Sequence, residues 1–289
     1  MTSRLQQQLD AGRFVITAEV CPPKGCDCTD FLAHARALQQ HVDAFNVTDN
    51  QGANMRISPV AAAALLVGEG IEPIFQITCR DRNRMALQSE LLGAAALGVT
   101  NVLALTGDHI SFGDHRDARP VFDLDSVQLL QTIAELNAGR DIAGNKLQGA
   151  PSFFAGAAAA PEAEPFPLTL MKIRKKVETG ARFFQTQAVF EPEKLRLFHE
   201  AVAPLQVKVI AGILLLKSAG MARYVTRNIP GLKVPDHIVD ELEKAADPLE
   251  AGVEIARRTA AAARPWCDGL HIMAMGREDL IPRIIEAVR

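Results

Sequence analysis

The sequence predicts a single α/β domain, a closed (β/α)8 TIM barrel over residues 1–289 with a short N-terminal helix. Three observations predict it. Short runs rich in β-branched and aromatic residues alternate with helical stretches eight times, with no long linker between them. A length of 289 residues suits one barrel with a single core. Aromatic residues make up only 5% while alanine is abundant, which points to close-packed helices and away from an aromatic-rich β-sandwich. The alternative that the same alternation allows is an open doubly wound sheet.

The elements follow in order. Met1–Asp10 is polar and helix-prone, with no apolar stretch for a signal peptide. Phe14–Val20 reads as the first strand and Phe31–His41 as its helix. Ala44–Asp49 is the second strand, followed by a helix over Ser58–Val67 with Pro59 in its first turn. Pro73–Thr78 is the third. Asp81 then reads as the N-cap of a helix over Met85–Leu97 that Gly98 closes. Asn101–Leu105 is the fourth strand. After a long loop, Leu129, Ile133 and Leu136 recur at helical spacing within Asp125–Leu136. Ser152–Gly156 is the fifth strand, and a loop over Ala157–Pro167 precedes a basic helix, Leu168–Thr179. Arg182–Gln187 and Lys208–Leu214 are the sixth and seventh strands, with Glu193–Ala203 helical between them. A helical region, Ser218–Ala263, is broken near Pro230, Pro235 and Pro248. Gly269–Met273 is the eighth strand, and Glu278–Val288 the closing helix.

Composition excludes several classes. Lys+Arg number 31 against 34 Asp+Glu, a net charge of -3, and 48% of residues are hydrophobic. A disordered chain is poorer in apolar residues, and a protein held to nucleic acid by phosphate contacts carries a basic excess. The richest apolar run, Val209–Leu216, is strand length and far short of the roughly 18–20 residues a membrane span needs. Five cysteines in a chain this long do not read as a disulfide framework, so a reducing cytoplasm is the expected setting.

In a barrel the chemistry belongs at the carboxyl ends of the strands. Glu19, inside the apolar first strand, reads either as a general acid with a raised pKa or as an inward residue paired with a base. Thr48, Asp49, Asn50 and Gln51 end the second strand as a heterocycle-binding cluster or an ordinary turn. Gln76 and Thr78 share a face of the third by alternation. Thr106, Gly107 and Asp108 end the fourth, with Gly107 permitting close approach and Asp108 at the rim. Thr186 and Gln187 end the sixth. This set has no strong nucleophile and no basic cluster. It suits gripping a flat, hydrogen-bonding molecule and moving a proton. The helix Met171–Lys176, with Lys172, Arg174, Lys175 and Lys176, is a solvated face or an anion clamp for a nucleotide cofactor.

Several motifs are missing. There is no G-x-G-x-x-G, no Walker A loop and no H-E-x-x-H, so a nucleotide cofactor would have to bind through barrel loops. Cys21, Cys26 and Cys28 lack a fourth ligand at matching spacing. Asp108-His109 and Asp114-His115 read as turn formers, so no metal site is expected.

Taken together, AEVCPPKG (18–25), FNVTDNQGAN (45–54), ITCRDRNR (77–84), NVLALTGD (101–108), PVFDLDSVQLL (120–130), KIRKKVETGARFFQTQAVF (172–190) and GLHIMAMGRE (269–278) resemble the methylenetetrahydrofolate reductase family, in the short bacterial form without a regulatory domain. The resemblance spans nearly the whole chain. It implies a flavin, FAD in the first instance, at the carboxyl ends of the strands. It also implies reduction of 5,10-methylenetetrahydrofolate to 5-methyltetrahydrofolate by hydride from that flavin. Glu19 matches the family's general acid toward N10, and Asp108 the aspartate beside flavin and pterin. Gln187 matches the glutamine that binds folate and nicotinamide, and Arg277 falls at a folate contact. Thr48, Asp49 and Asp123 fall on the cofactor side, as do Lys172, Lys175 and Lys176 at its phosphates. The chain departs from better-known members at three flavin contacts: Gln76 for a common histidine, Thr106 for an arginine, and Ala160 for an aromatic residue. FMN and a flavin-free direct hydride transfer therefore stay open beside FAD. The implied electron donor is NADH or a partner subunit carrying iron–sulfur centres, in a homo-oligomer or a hetero-complex. A pterin-binding methyltransferase barrel and a non-catalytic subunit of an electron-transfer complex are the competing readings.

Overall fold

The computed structural model describes residues 2–229 and 231–289. Eight parallel strands pair in chain order, and the last closes on the first: β1 (Val15–Val20), β2 (Ala44–Val47), β3 (Pro73–Thr78), β4 (Asn101–Leu105), β5 (Phe154–Ala159), β6 (Phe183–Ala188), β7 (Lys208–Leu214) and β8 (Gly269–Met273). This is the closed (β/α)8 barrel that the alternation predicts. An outer layer is formed by α2 (Thr29–Leu38), α3 (Pro59–Gly68), α4 (Arg84–Ala96), α5 (Ser126–Asn137), α6 (Phe166–Glu178), α7 (Pro192–Val202), α8 (Ala219–Asn228), α9 (Asp236–Lys244), α10 (Pro248–Ala263) and the short α11 (Ile281–Ile285), while α1 (Arg4–Asp10) lies apart. Among the described residues no helix is long and apolar enough to cross a membrane.

The period-2 pattern of each strand decides what fills the barrel. Outward residues such as Ile16, Ala18, Phe45, Phe75, Ile77 and Val102 join helix residues such as Leu66, Leu91 and Leu129 in the main core. Inward residues at the N-terminal end are Val15, Ala44, Ile74, Leu103, Phe154, Phe183 and Ile210, and Leu5 and Leu9 of α1 pack onto them. That helix therefore plugs the bottom of the barrel. Its start is held by Glu72, whose carboxylate accepts the backbone N–H of Arg4 at 3.0 Å and of Leu5 at 2.8 Å. A carboxylate there also complements the helix dipole.

The structure moves several predicted boundaries. β5 runs over Phe154–Ala159 rather than Ser152–Gly156, because pairing with β4 continues to Ala157 opposite Ala104, through alanines that carry little strand signal. α6 begins at Phe166, with Pro167 in its first turn. The region 218–263 resolves into three helices, the last capped by Asp247. The cap of α4 is Asn83, whose side chain accepts from the N–H groups of Met85 and Ala86. Asp81 is instead bound to the Arg80 guanidinium at 2.9 Å. Pro59, Gly98 and Asp125 stand at the helix ends where the sequence places them.

Candidate active site

Moving up the lumen, apolar inward residues give way to polar ones. One layer above the plug, Thr17, Asn46, Gln76, Gln185 and His271 are all buried. Four of them are linked: Gln76 Nε2 donates to Asn46 Oδ1 at 3.1 Å, and the Asn46 amide lies 3.2 Å from His271 Nδ1, with Thr17 Oγ1 at 3.1 Å. Asn46 donates because its oxygen is already accepting. With the amide so oriented His271 Nδ1 accepts and the ring proton sits on Nε2, which is buried without a partner among the described residues. Burial pushes the His271 pKa down to about 3, so the ring is neutral.

Glu19 stands above this layer, at the C-terminal end of β1. Its Oε1 accepts from Gln51 Nε2 at 3.0 Å. Burial raises its pKa to about 7; the Gln51 hydrogen bond pulls the other way, Glu278 adds to the rise and Arg56 opposes it. Such a carboxyl holds its proton near neutrality and can give it up. Beside it, Cys21 Sγ lies 3.6 Å from Thr48 Oγ1, which donates to it, and 3.8 Å from Gln51 Oε1. Burial raises the Cys21 thiol pKa. Cys26 is exposed and Cys28 half-buried. Among the described residues, no three His, Cys, Asp or Glu side chains converge as a metal site.

Asp49 is committed to protein partners. Its Oδ2 accepts from the backbone N–H and hydroxyl of Thr78, each at 2.8 Å, and from Arg82 at 2.7 Å, while Oδ1 takes a second Arg82 bond at 3.2 Å. The neighbouring Arg80, 2% exposed, reaches the carbonyls of Asp49, Asn50 and Asp108. It therefore ties the loops after β2 and β4 to the end of β3.

The β4 end brings Thr106, Gly107 and Asp108 to the rim. Thr106 Oγ1 accepts the N–H of Ser126 at 3.2 Å, at the start of α5. Gly107 has φ +92°, and a Cβ there would sit 2.9 Å from the Thr78 Cβ, so glycine is required twice over. The turn leaves the Asp108 side chain exposed. Asp123 accepts from the backbone and guanidinium of Arg84 at 2.9 Å, and these hydrogen bonds lower its pKa to about 2.

On the far side, Lys172 and Lys175 of α6 are exposed and Lys176 is half-buried, its Nζ 2.7 Å from the Ala158 carbonyl. Burial, then repulsion from Lys172, lowers the Lys176 pKa to about 8. Ala160 follows the end of β5. Gln187, next to last in β6, has its Oε1 buried and without a partner among the described residues. Arg277, after β8, is held by Asp279 at 2.8 Å.

The predicted residues fall into two kinds. Asp108, Lys172 and Lys175 are exposed, Glu19 has a hydrogen bond from Gln51, and Gln187 keeps a buried amide oxygen with no partner among the described residues. Thr48, Asp49, Gln76, Thr106, Asp123 and Lys176 already bond within the protein. Arg80 and Arg82 lie in ITCRDRNR without standing out there as site residues, and Gln51 reads from the sequence as one member of a heterocycle-binding cluster or an ordinary turn, with no sign of its contact to Glu19.

The methylenetetrahydrofolate reductase family model matches residues 4–289. A probable methylenetetrahydrofolate reductase (NADPH) of Caenorhabditis elegans is 24% identical over 304 residues, covering 99% of this chain and 44% of that protein. Methylenetetrahydrofolate reductase 2 of Schizosaccharomyces pombe is 26% identical over 216 residues, 69% of this chain and 32% of its own length. The chain spans less than half the length of these curated relatives. Crystal structures of 2,3-dimethylmalate lyase, a PEP mutase/isocitrate lyase superfamily member, and of oxaloacetate acetylhydrolase each superpose with a TM-score of 0.54 at 11% identity. They cover 94% and 97% of this chain and 81% of each neighbour. At that identity the likeness concerns the barrel alone.

Proposed function

The chain belongs to the methylenetetrahydrofolate reductase family, and from that premise we propose that it reduces 5,10-methylenetetrahydrofolate to 5-methyltetrahydrofolate. The electrons come from a reduced pyridine nucleotide or from an electron-carrying partner subunit. The observation that carries this reading is Glu19, a carboxyl at the barrel mouth whose burial keeps it protonated up to about pH 7. Breaking the bond between the methylene carbon and N10 needs a proton on N10, and a general acid with a pKa near the working pH supplies it best.

A flavin bound at the mouth would supply the hydride that the methylene carbon accepts. The residues fit such a group at its phosphate end. Lys172 and Lys176 lie one helical turn apart and close enough for Lys172 to depress the Lys176 pKa, a like-charge pair that an anion relieves. Asp49, Thr106 and Asp123, engaged with Arg82, Ser126 and Arg84, would shape the loops around it. We take FAD as the flavin.

The chain's own groups then divide the work. Glu19 donates its proton to N10, the five-membered ring opens, and Gln51 is placed to hold the carboxylate left behind. Asp108, an exposed carboxylate across the mouth, favours the cationic iminium that opening produces. Gln187 offers an amide oxygen to the N–H groups of the pterin. Arg277, whose guanidinium pairs with Asp279, is the residue we assign to a contact with the same substrate.

The purified chain should be yellow, and acid extraction with mass determination of the chromophore should return FAD. Release of FMN or of no flavin would overturn the cofactor assignment. Glu19→Gln should still accept electrons from the donor and should fail to reduce the folate. Full-rate folate reduction by that variant would remove the acid from Glu19.

A further inference from the structure

β6 does not pair evenly with β7. Gln185 lies opposite Ile210 and Ala188 opposite Gly212, so Thr186 and Gln187 together face Ala211. An extra residue on one strand is a β-bulge, a device that re-aims a side chain. Two contacts lock it. Thr186 Oγ1 accepts the N–H of Gly212 at 2.9 Å and donates to the Gln187 carbonyl at 2.7 Å. Gly212 also lets the bulge approach. A Cβ there would sit 2.6 Å from the Thr186 carbonyl oxygen and 2.8 Å from that of Gln187. The side chain so aimed has Oε1 buried with no partner among the described residues. A Cβ at Gly231 would come within 3.5 Å of that atom, so a loop backbone stands close beside it. A buried acceptor without a partner is costly unless a ligand or water fills it.

We propose that Thr186 and Gly212 are positioning residues that aim the Gln187 amide oxygen at an N–H donor of the bound substrate. The donor class is the amide-like ring N–H and amino group of a reduced pterin. The inference rests on the proposed folate reduction. What it adds is the origin of the aim, which lies in the clamped bulge between β6 and β7.

The test is a double-mutant cycle read by KM and kcat for methylenetetrahydrofolate. Gly212→Ala and the near-isosteric Thr186→Val are each expected to raise KM by roughly ten- to a hundredfold, with a smaller change in kcat. Thr186→Ser keeps the hydroxyl and should behave as wild type. In a Gln187→Ala background, Gly212→Ala should add no further loss. An equal loss in that background, or an unchanged KM in Thr186→Val, overturns the proposal. Crystal structures of the wild type and Thr186→Val decide the geometry without turnover. The Gln187 amide should move by about 1 Å or more, and an unmoved amide overturns the proposal. If the wild type neither binds nor reduces the folate, the proposed function fails, and the crystal comparison still decides whether the bulge sets the aim.

Discussion

The Nε2 amide of Gln51 donates to Oε1 of Glu19 across 3.0 Å, and this contact opposes the burial that raises the Glu19 pKa to about 7. A hydrogen bond to the ionised form stabilises it. Removing the bond with Gln51→Ala should therefore raise the Glu19 pKa further. The proposed folate reduction would use Glu19 as its protonated acid, so kcat/KM should fall about tenfold per pH unit above pH 7 in the wild type. In Gln51→Ala that alkaline limb should move to higher pH. A limb that stays in place would show that the contact does not tune the acid.

The same residue links activity to stability. The folded-state pKa of Glu19 lies above its ordinary value of 4.5, so the fold binds this proton more tightly than the unfolded chain does. Its contribution is complete below about pH 4.5 and is lost as pH rises through about 7. Glu19→Gln cannot ionise, and its denaturant midpoint should decline less than that of the wild type between those values. Parallel declines would mean that Glu19 is not desolvated in solution.

The Asp49–Arg82 pair is expected to matter more for the fold than for a ligand. Asp49 is buried and takes four hydrogen bonds from Thr78 and Arg82. Arg82→Met leaves that carboxylate without its cation, which should cost about 3–5 kcal/mol in urea unfolding. Asp49→Asn keeps a polar, hydrogen-bonding group of the same shape and should cost less. A loss within about 0.5 kcal/mol for Arg82→Met would show that water reaches the carboxylate.

This pair also shows why the site was only partly legible in the sequence. The barrel could be read because eight period-2 runs alternate with helical segments, and that signal is local. Glu19 could be read because it interrupts VITAEV, where any charge is conspicuous. Asp49 looked like a ligand-binding carboxylate because its partner Arg82 lies 33 residues on, and no local pattern records which loop a guanidinium faces. His271 sits in GLHIM at an inward position, but its neutrality comes from burial and its orientation from Thr17 and Asn46 on two other strands. The bulge at Thr186–Gln187 leaves no mark in RFFQTQ, because it arises from how β6 meets β7.

The buried layer around His271 should be sensitive to loss of one member. Asn46 both accepts from Gln76 and donates to His271, so Asn46→Leu strands the Gln76 amide, leaves Thr17 as the partner of His271 Nδ1, and should cost about 1–3 kcal/mol. The ring should also titrate abnormally. Its folded pKa of about 3 lies below the ordinary 6.5, so its stabilising contribution is complete above pH 6.5 and is lost as pH falls toward 3. Nitrogen NMR should show a neutral ring with its proton on Nε2 throughout pH 5–8. A His271 ring that titrates near 6.5 would mean that the layer is open to water.

Lys176 offers a separate handle on the cofactor. Burial and Lys172 lower its pKa to about 8, so it is a cation below that pH and largely neutral above it. An anionic phosphate binds the cation, and by linkage the bound phosphate raises the lysine pKa. Flavin affinity measured by fluorescence quenching should therefore weaken as pH rises from 7 to 9. Lys176→Met should remove most of that dependence, and Lys172→Glu, which reverses a charge one turn away, should weaken FAD by roughly tenfold or more. FAD and FMN both carry phosphate, so riboflavin is the control, and its affinity should respond to neither substitution. Equal losses for riboflavin and FAD would place the effect on the shape of the mouth and take the phosphate away from α6.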